Sequence, residues 1–462
     1  MPAPLDTAAL RARLHAVLAA RGVVRSRELQ AALGVSQATI SRLIADDGRI
    51  ARVGAGRSAR YGLRVEVAVG GAGDLGVELP LFRIDEAGLA HRVGLLERLA
   101  SDQIVVRDPA GSALDVADDL PWFLQDLRPA GFLGRLLPRR HPELGAPSDI
   151  RLWSASDVLR YLNRFGADLP GDLVVGEAAL QHALGDRGEV VDGADSGAAY
   201  DRIADDVLHH GAAGSSAAGE QPKFLARRRL GGGERAVLVK FRPLGGGAVD
   251  QRWVDLCVSE HLALETLRSE GVAAAASRLV FTDRRVHLEV ERFDRTPDLG
   301  RLPTVSLAVL DGAFVGVGRD PVAVAEALVR SGRAPAGLLD DLRVLHTFGG
   351  LIGNSDMHLG NFTAWRIAEL APKVQATTGL APAYDMLPMV LAPRGGEVLD
   401  AGFSPPSPRP VQGFRQAWSM ARSFWGRVSD EPRISELFRE IARHAAEALA
   451  AQADVVRRLP DG

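Results

Sequence analysis

Gly353-Asn354-Ser355-Asp356-Met357-His358-Leu359-Gly360-Asn361-Phe362 places an Asp five residues before an Asn. That is the spacing of a phosphotransferase catalytic loop, in which the Asp accepts the proton of an attacking hydroxyl and the Asn carboxamide oxygen holds a Mg²⁺ that bridges nucleotide phosphates. The two side chains must leave one short loop in nearly the same direction, and Asp356 and Asn361 have that relation. Alone, the pattern reads as a polar turn after a buried helix; its surroundings favour the catalytic loop. Leu342 to Ile352 is an apolar run that predicts a buried helix delivering the loop, with glycines where the chain must turn. Downstream, Leu380-Ala381-Pro382-Ala383-Tyr384-Asp385-Met386-Leu387 sets a second carboxylate at the end of a short apolar segment, which makes Asp385 a candidate metal ligand.

A phosphate-binding cover is expected upstream. Gly214-Ser215-Ser216-Ala217-Ala218-Gly219-Glu220-Gln221-Pro222-Lys223 supplies small residues whose N–H groups can approach phosphate oxygens, although the order G-x-x-x-x-G-K-[ST] is missing. The loop opens a predicted hairpin from Lys223 to Arg229, a turn at Gly231 to Gly233, and a strand from Ala236 to Phe241. Alternation puts Leu238 and Lys240 on one face and Val237 and Val239 on the other, so Lys240 points toward whatever the loop covers. Lysine occurs only at 223, 240 and 373 in an arginine-rich chain, so two of the three fall in this site, where a compact ammonium suits phosphate. On the helical segment Trp253 to Arg268, Glu260 is either the partner of Lys240 or a surface Glu. Val286 to Arg295 reads as a strand running into a charged connector, either the hinge that holds adenine by backbone groups or a solvated turn.

Five motifs then stand in order: Ser-Ala-Ala-Gly-Glu-Gln-Pro-Lys from Ser216, Val-Lys-Phe from Val239, Val-Glu-Arg-Phe-Asp-Arg from Val290, Gly-Asn-x-Asp-x-His-x-x-Asn from Gly353, and Ala-Pro-x-Tyr-Asp-x-Leu from Ala381. Together they resemble the HipA-family serine/threonine kinases, toxins of bacterial toxin–antitoxin systems, and most closely the single-chain YjjJ-type branch fused to its own DNA-binding module. The resemblance covers roughly residues 75 to 450. It implies an α+β, protein-kinase-like HipA fold with a β-rich N-lobe and a mostly helical C-lobe, preceded by a small winged helix-turn-helix domain. It implies ATP and Mg²⁺ as cofactors, Asp356 as proton acceptor, Asn361 and Asp385 as Mg²⁺ ligands and Lys240 as the phosphate-pairing lysine. Ala218, Gly219, Glu220, Gln221, Pro222, Lys223, Glu291, Arg292, Phe293, His358, Asn361, Tyr384 and Asp385 would surround ATP. Ser216 matches the autophosphorylated serine, with Ser215 beside it left open; phosphate there would add close to two negative charges and expel the loop. Upstream, Leu120-Pro121-Trp122-Phe123-Leu124-Gln125-Asp126-Leu127-Arg128-Pro129 resembles the family's Leu-Pro-x-Phe-Phe-x-Asn-Leu-Leu-Pro, with Arg128 where the family has an apolar residue.

The amino-terminal segment is a different object. Leu10 to Ala20 is apolar at helical spacing, Ser26 is a candidate cap for a second helix ending at Gly34, and Val35-Ser36 start a third over Gln37 to Ile44. Arg49 to Val53, the turn Gly54-Ala55-Gly56 and Arg60 to Arg64 read as a two-stranded wing. Residues 1–64 hold eleven Arg against four acidic residues, whereas the chain as a whole carries −3. Cationic charge confined to one end favours contact with a phosphate backbone. Gln37, Thr39, Ser41 and Arg42 are expected near base edges, and Arg52, Arg57 and Arg60 near phosphate or the minor groove. A protein-interaction or dimerisation role is the alternative for this module.

With 462 residues, 46% hydrophobic and 24% charged, the chain can fill two to four domains. The expected divisions are 1–68, a winged helix-turn-helix; 75–145, a β-rich subdomain; 146–293, the kinase N-lobe; and 294–455, the helical C-lobe. No 18-residue apolar run or signal peptide is evident, and a single cysteine, Cys257, excludes an intrachain disulfide, which fits a cytoplasmic protein with no membrane partner. The expected partners are DNA, a protein substrate such as a translation component, and a second copy in a homodimer. Arg139-Arg140 and Arg227 to Arg229 are basic runs read as solvated faces, with contact to nucleic acid as the alternative, and His209-His210 as a loop rather than a zinc site. Two other functions fit the same residues: a DNA-binding regulator whose kinase-like part only senses nucleotide or a small ligand, and a small-molecule phosphotransferase. Intact Asp356, Asn361, Asp385 and Lys240 argue against the first.

Overall fold

The computed structural model describes residues 7–65, 78–185, 190–193, 196–210, 221–230, 233–297, 300–371, 375–398 and 402–460. It begins with α1 (Thr7–Arg21), β1 (Val24–Arg25), α2 (Ser26–Leu33), α3 (Gln37–Ala45), β2 (Ile50–Val53) and β3 (Arg60–Leu63). Leu10, Leu14 and Leu18 recur at helical spacing and bury against Leu29, Ile40 and Leu43. Gly34, at φ 69°, turns the chain out of α2, and the Ser36 hydroxyl caps α3 by accepting the Thr39 N–H at 3.3 Å. Ser26 is not a cap; it is the first helical residue, and its hydroxyl donates to Gln37 Oε1 at 2.7 Å. The expected two-strand hairpin is present, with β2 antiparallel to β3, and a further strand joins it in the order β1-β3-β2, because Val24 and Arg25 pair with Tyr61 and Arg60.

A middle domain follows: β4 (Glu78–Ile84), β5 (Ala90–Arg98), β6 (Ile104–Arg107), β7 (Ala113–Ala117), α4 (Gly131–Arg140), α5 (Ala155–Phe165), β8 (Leu173–Val175) and α6 (Glu177–Gly185). Its antiparallel sheet runs β7-β6-β5-β4-β8, and Leu79, Leu81 and Leu96 share one core with Val158, Leu162 and Leu173. A division at 145 would cut that core. Helix α4 instead packs Phe132 and Leu136 against Phe224, Val237 and Val239 of the next sheet. Arg128, the departure from the family pattern, is half-buried and is accommodated by donating to Asp119 and to the Trp153 carbonyl at 2.9 Å.

The amino-terminal module is seated on this middle sheet. The Ala100 N–H donates to Leu63 O at 2.7 Å, Ala51 and Val53 bury with Leu99 and Val105, and Glu97, 0% exposed, is ion-paired to both Arg64 and Arg107. Arg107 also donates to the Arg52 carbonyl at 3.1 Å.

The next unit contains β9 (Val190–Asp192), α7 (Ser196–His210), β10 (Lys223–Leu230), β11 (Gly233–Pro243), α8 (Ala248–Ser269), β12 (Ser277–Phe281) and β13 (Arg285–Glu291). The sheet order is β12-β13-β11-β10-β9, with β9 parallel to β10 and the other pairs antiparallel. His209 and His210 end α7 and are helical, not a loop. The basic run on β10 is only in part a solvated face: Arg229 is exposed and Arg227 half-buried, both pairing with Glu234, whereas buried Arg228 pairs with Glu289 at 2.6 Å. Cys257 is core filler on α8.

The remaining lobe is mainly helical, with β14 (Thr304–Ser306), α9 (Leu307–Leu310), α10 (Pro321–Arg330), α11 (Ala336–Leu351), β15 (Thr363–Arg366), β16 (Thr377–Leu380), α12 (Phe414–Asp430), α13 (Glu436–Ala451) and α14 (Ala453–Arg458). Phe348, Phe424, Trp425 and Phe438 fill its core. The Trp425 indole N–H donates to Leu351 O at 3.2 Å, which pins the end of α11 where the loop of Asp356 begins. No helix among the described residues is long and apolar enough to cross a membrane.

Candidate active site

Period-two alternation in β11 gives the site its cation. Val237 and Val239 are buried under α4 and α7, which leaves Leu238 and Lys240 on the face that borders a cavity of about 770 Å³. The Lys240 ammonium donates to both carboxylate oxygens of Glu260 at 2.7 Å and also to Asp385 Oδ1. Glu260 is 0% exposed, so it is the lysine's partner and not a surface residue. Burial alone would lower the lysine's pKa, but Asp385 and Glu260 outweigh it and hold the ammonium above its ordinary value. For Asp385 burial pushes upward, and Lys240 and Lys223 hold the carboxyl below the usual range. Lys223 lies opposite Lys240 in the antiparallel ladder and borders the same cavity.

The catalytic-loop candidates lie on one turn after α11, where Asn361 contacts the Asp356 backbone and His358 the Asp356 carboxylate. Gly349 lets Met357 approach α11 closely, since a Cβ there would lie 2.1 Å from the sulfur, and Gly353 turns the chain at φ 77°. Asn361 Nδ2 donates to the Asp356 carbonyl at 2.7 Å, so its carboxamide oxygen stays available. His358 caps the short turn Leu359–Asn361 by accepting the Gly360 N–H at 3.0 Å, with its Nε2 3.9 Å from Asp356 Oδ1. The Asp356 carboxylate is more than half exposed. Asn354, which carried no assigned role in the sequence, links the two carboxylate segments: its Oδ1 accepts the Asp356 N–H at 3.0 Å and its Nδ2 donates to Asp385 O at 3.1 Å. Its position two residues before Asp356 was the available signal. Asp385 sits at φ 54°, a left-handed conformation that costs a non-glycine residue about 1–2 kcal/mol. The bonds from Asn354 and Lys240 hold it there.

Thr363 and Tyr384 form one wall of the cavity, their hydroxyls 2.8 Å apart, and the tyrosine donates to Gly360 O at 3.1 Å. Phe293 packs on Tyr384 with ring centroids 5.8 Å apart. Glu291, Arg292 and Phe293 border the cavity as expected of a hinge. Arg292 is not in a solvated turn, however; its guanidinium is buried and pairs with Asp168 at 2.7 Å and Asp294 at 2.9 Å. A further cavity residue missed in the sequence is Asp126, whose carboxylate accepts the Ser306 N–H and hydroxyl at 2.6 Å each. Its partner lies 180 residues away, beyond any local pattern. Of the phosphate loop, Pro222 accepts the Phe241 N–H at 3.2 Å, and Gln221 keeps a buried Oε1 without a hydrogen bond among the described residues. Ser215, Ser216, Ala218, Gly219 and Glu220 lie outside the described residues.

The donor set fits a nucleotide-bound Mg²⁺. This small hard cation is held through one or two oxygen ligands plus substrate phosphates, and Asn361 Oδ1 with the Asp385 carboxylate would serve. No group of three or more His, Cys, Asp or Glu able to hold a metal occurs among the described residues.

On the amino-terminal module, Gln37, Ser41 and Arg42 are exposed on α3, Thr39 is half-buried and bonded to the Ser36 hydroxyl, Arg52 is exposed and Arg60 half-buried. The Arg57 side chain lies outside the described residues.

The description of the YjjJ-like toxin middle domain matches residues 75–184, and that of the HipA-like C-terminal domain matches residues 215–452. Toxin YjjJ of Escherichia coli strain K12 is 36% identical over 450 residues, spanning 94% of this chain and 96% of that protein. A chain from the complex of HipA, HipB and operator DNA of the Shewanella oneidensis MR-1 toxin–antitoxin system superposes with a TM-score of 0.53 at 18% identity, over 82% of this chain and 99% of its own length. This last is a likeness of fold.

Proposed function

This chain belongs to the HipA family of toxins, in its YjjJ-like branch, and from that premise we propose that it is an ATP- and Mg²⁺-dependent serine/threonine protein kinase whose amino-terminal module binds DNA. One observation carries the reading: a buried Lys240–Glu260 pair and the left-handed Asp385 meet on a single ammonium in a cavity bordered by the connector Glu291 to Phe293. A kinase needs that lysine pairing with a helical glutamate, and a generic ion pair does not need the third group. Asp356 accepts the proton of a protein hydroxyl as its oxygen bonds to the γ-phosphorus and ADP leaves. Its exposed carboxylate suits an acceptor that must meet a macromolecule. Lys240 and Lys223 balance phosphate charge, and Asn361 and Asp385 would hold Mg²⁺, which when bound neutralises charge on the transferring group. Ser216 is the proposed autophosphorylation site, with Ser215 as the neighbour to distinguish, and a translation component the proposed substrate.

The exposed Gln37, Ser41 and Arg42 would face base edges, and Arg52 and Arg60 the phosphate backbone. The deciding experiment incubates the full chain with Mg²⁺ and γ-labelled ATP, alone and with cell lysate, beside Asp356→Ala. Label on Ser216 or a lysate protein, absent from the variant, supports the kinase; ATP binding without label in either protein would replace it with a nucleotide-sensing regulator.

A further inference from the structure

The connector that borders the base end of the cavity is held from outside the two kinase lobes. Arg292 and Arg295 share Asp168 Oδ1 at 2.7 and 3.0 Å, and they also donate to Leu169 O at 3.3 and 2.6 Å. Asp294 accepts the Gly171 N–H at 2.9 Å. A second buried pair, Arg366 to Asp172 at 2.7 Å, ties the same middle-domain loop to β15. The guanidiniums are 10% and 7% exposed and Asp168 is 58% exposed, so the carboxylate closes the network from the cavity side. Asp168 itself borders the cavity, along with the loop leading into β8.

We propose that the middle domain is part of the nucleotide-binding machinery, with Asp168 the positioning residue that fixes the connector against which the base rests. The inference builds on the ATP reading above. Without Asp168, two buried guanidiniums would keep Asp294 as their one carboxylate beside the Leu169 carbonyl, and their mutual repulsion would displace Arg292 and the adjoining Phe293. The connector lies away from the reacting phosphorus, so its displacement weakens nucleotide and transition state alike, which raises KM and leaves kcat nearly constant.

The test compares wild type with Asp168→Ala, Asp168→Asn and Asp168→Glu in the full chain. ATP affinity is measured by displacement of a fluorescent ATP analogue, independently of turnover, next to KM, kcat and thermal melting. Asp168→Ala is expected to raise both Kd and KM about tenfold, because the two guanidiniums, themselves little exposed, lose one of their two carboxylate partners, with kcat within about twofold. Asp168→Glu should recover most of the loss. If Asp168→Ala melts well below wild type, Asp168→Asn, which keeps an acceptor at Oδ1 but no charge, provides the comparison. Unchanged Kd in a folded variant overturns the positioning role alone, while a wild-type chain that binds no ATP overturns the nucleotide reading beneath it.

Discussion

The cavity and the amino-terminal module use charge in opposite ways. Around the cavity, Lys240, Glu260, Arg292 and Asp294 are buried and satisfied by one another. On α3 and the wing, Arg42 and Arg52 stand exposed in a module with a large excess of arginine. A buried pair is little screened by salt, and its value lies in fixing geometry, because losing one partner strands the other. An exposed, unbalanced arginine adds little stability and is suited to a polyanion arriving from outside. The contrast therefore separates a region built to hold a constellation from one built to meet a partner.

The largest effect that could break this contrast is Asp356→Ala, expected to cost about 10²- to 10⁴-fold in phosphoryl transfer, the usual contribution of a general base, with ATP affinity retained. Residual activity within tenfold of wild type would remove Asp356 from that role. Next comes Glu260→Ala, which leaves the Lys240 ammonium buried with only Asp385. It should lower stability by about 3–5 kcal/mol in a urea titration and abolish transfer. A loss below 1 kcal/mol would mean that the pair is not structurally demanding. For the module, Arg42→Ala should weaken DNA binding by about 1–3 kcal/mol without changing autophosphorylation, and the wild-type affinity should fall steeply with salt. A mobility shift at low salt that does not distinguish variant from wild type would dissociate α3 from recognition.

The smallest effect near neutrality concerns pH. Burial pushes the Asp294 carboxyl upward, but Arg292 and Arg295 outweigh it and hold the group far below the usual carboxylate range. A depressed acid contributes stability that is fully present above its unfolded pKa, about 3.9, and is lost as pH falls through the folded value. The stability gap between wild type and Asp294→Asn should therefore be flat from pH 7 to about pH 5 and close only in stronger acid. A gap that widens on acidification would contradict the assigned pairing.

What could be read from the sequence was whatever a short window contains. Asp356 and Asn361 share one loop, the face of Lys240 follows from period-two alternation, and Asp385 ends a recognisable apolar segment. Glu260 was visible as a partner but not separable from a surface residue, since burial is a property of the packed α8. The connector's two readings could not be separated for a more distant reason: Arg292 to Arg295 look like a solvated turn because the anion that pairs with Arg292 and Arg295, Asp168, lies 124 residues upstream of Arg292. The same holds for the middle sheet, whose last strand β8 returns after two helices and carries the core past residue 145. The third strand of the amino-terminal sheet, Val24–Arg25, is too short to leave a pattern. The phosphate-loop expectation at Ser216 to Glu220 lies outside the described residues.

The scarcity of lysine has a consequence for covalent chemistry. Acylating reagents require an unprotonated amine, and among side chains this protein offers them three, of which Lys223 and Lys240 border the cavity and Lys373 lies outside the described residues. While Glu260 and Asp385 hold it, Lys240 carries its proton and has no lone pair to give. Remove both carboxylates and burial acts unopposed, drawing the pKa down, so the residue that serves as a fixed cation would become a nucleophile.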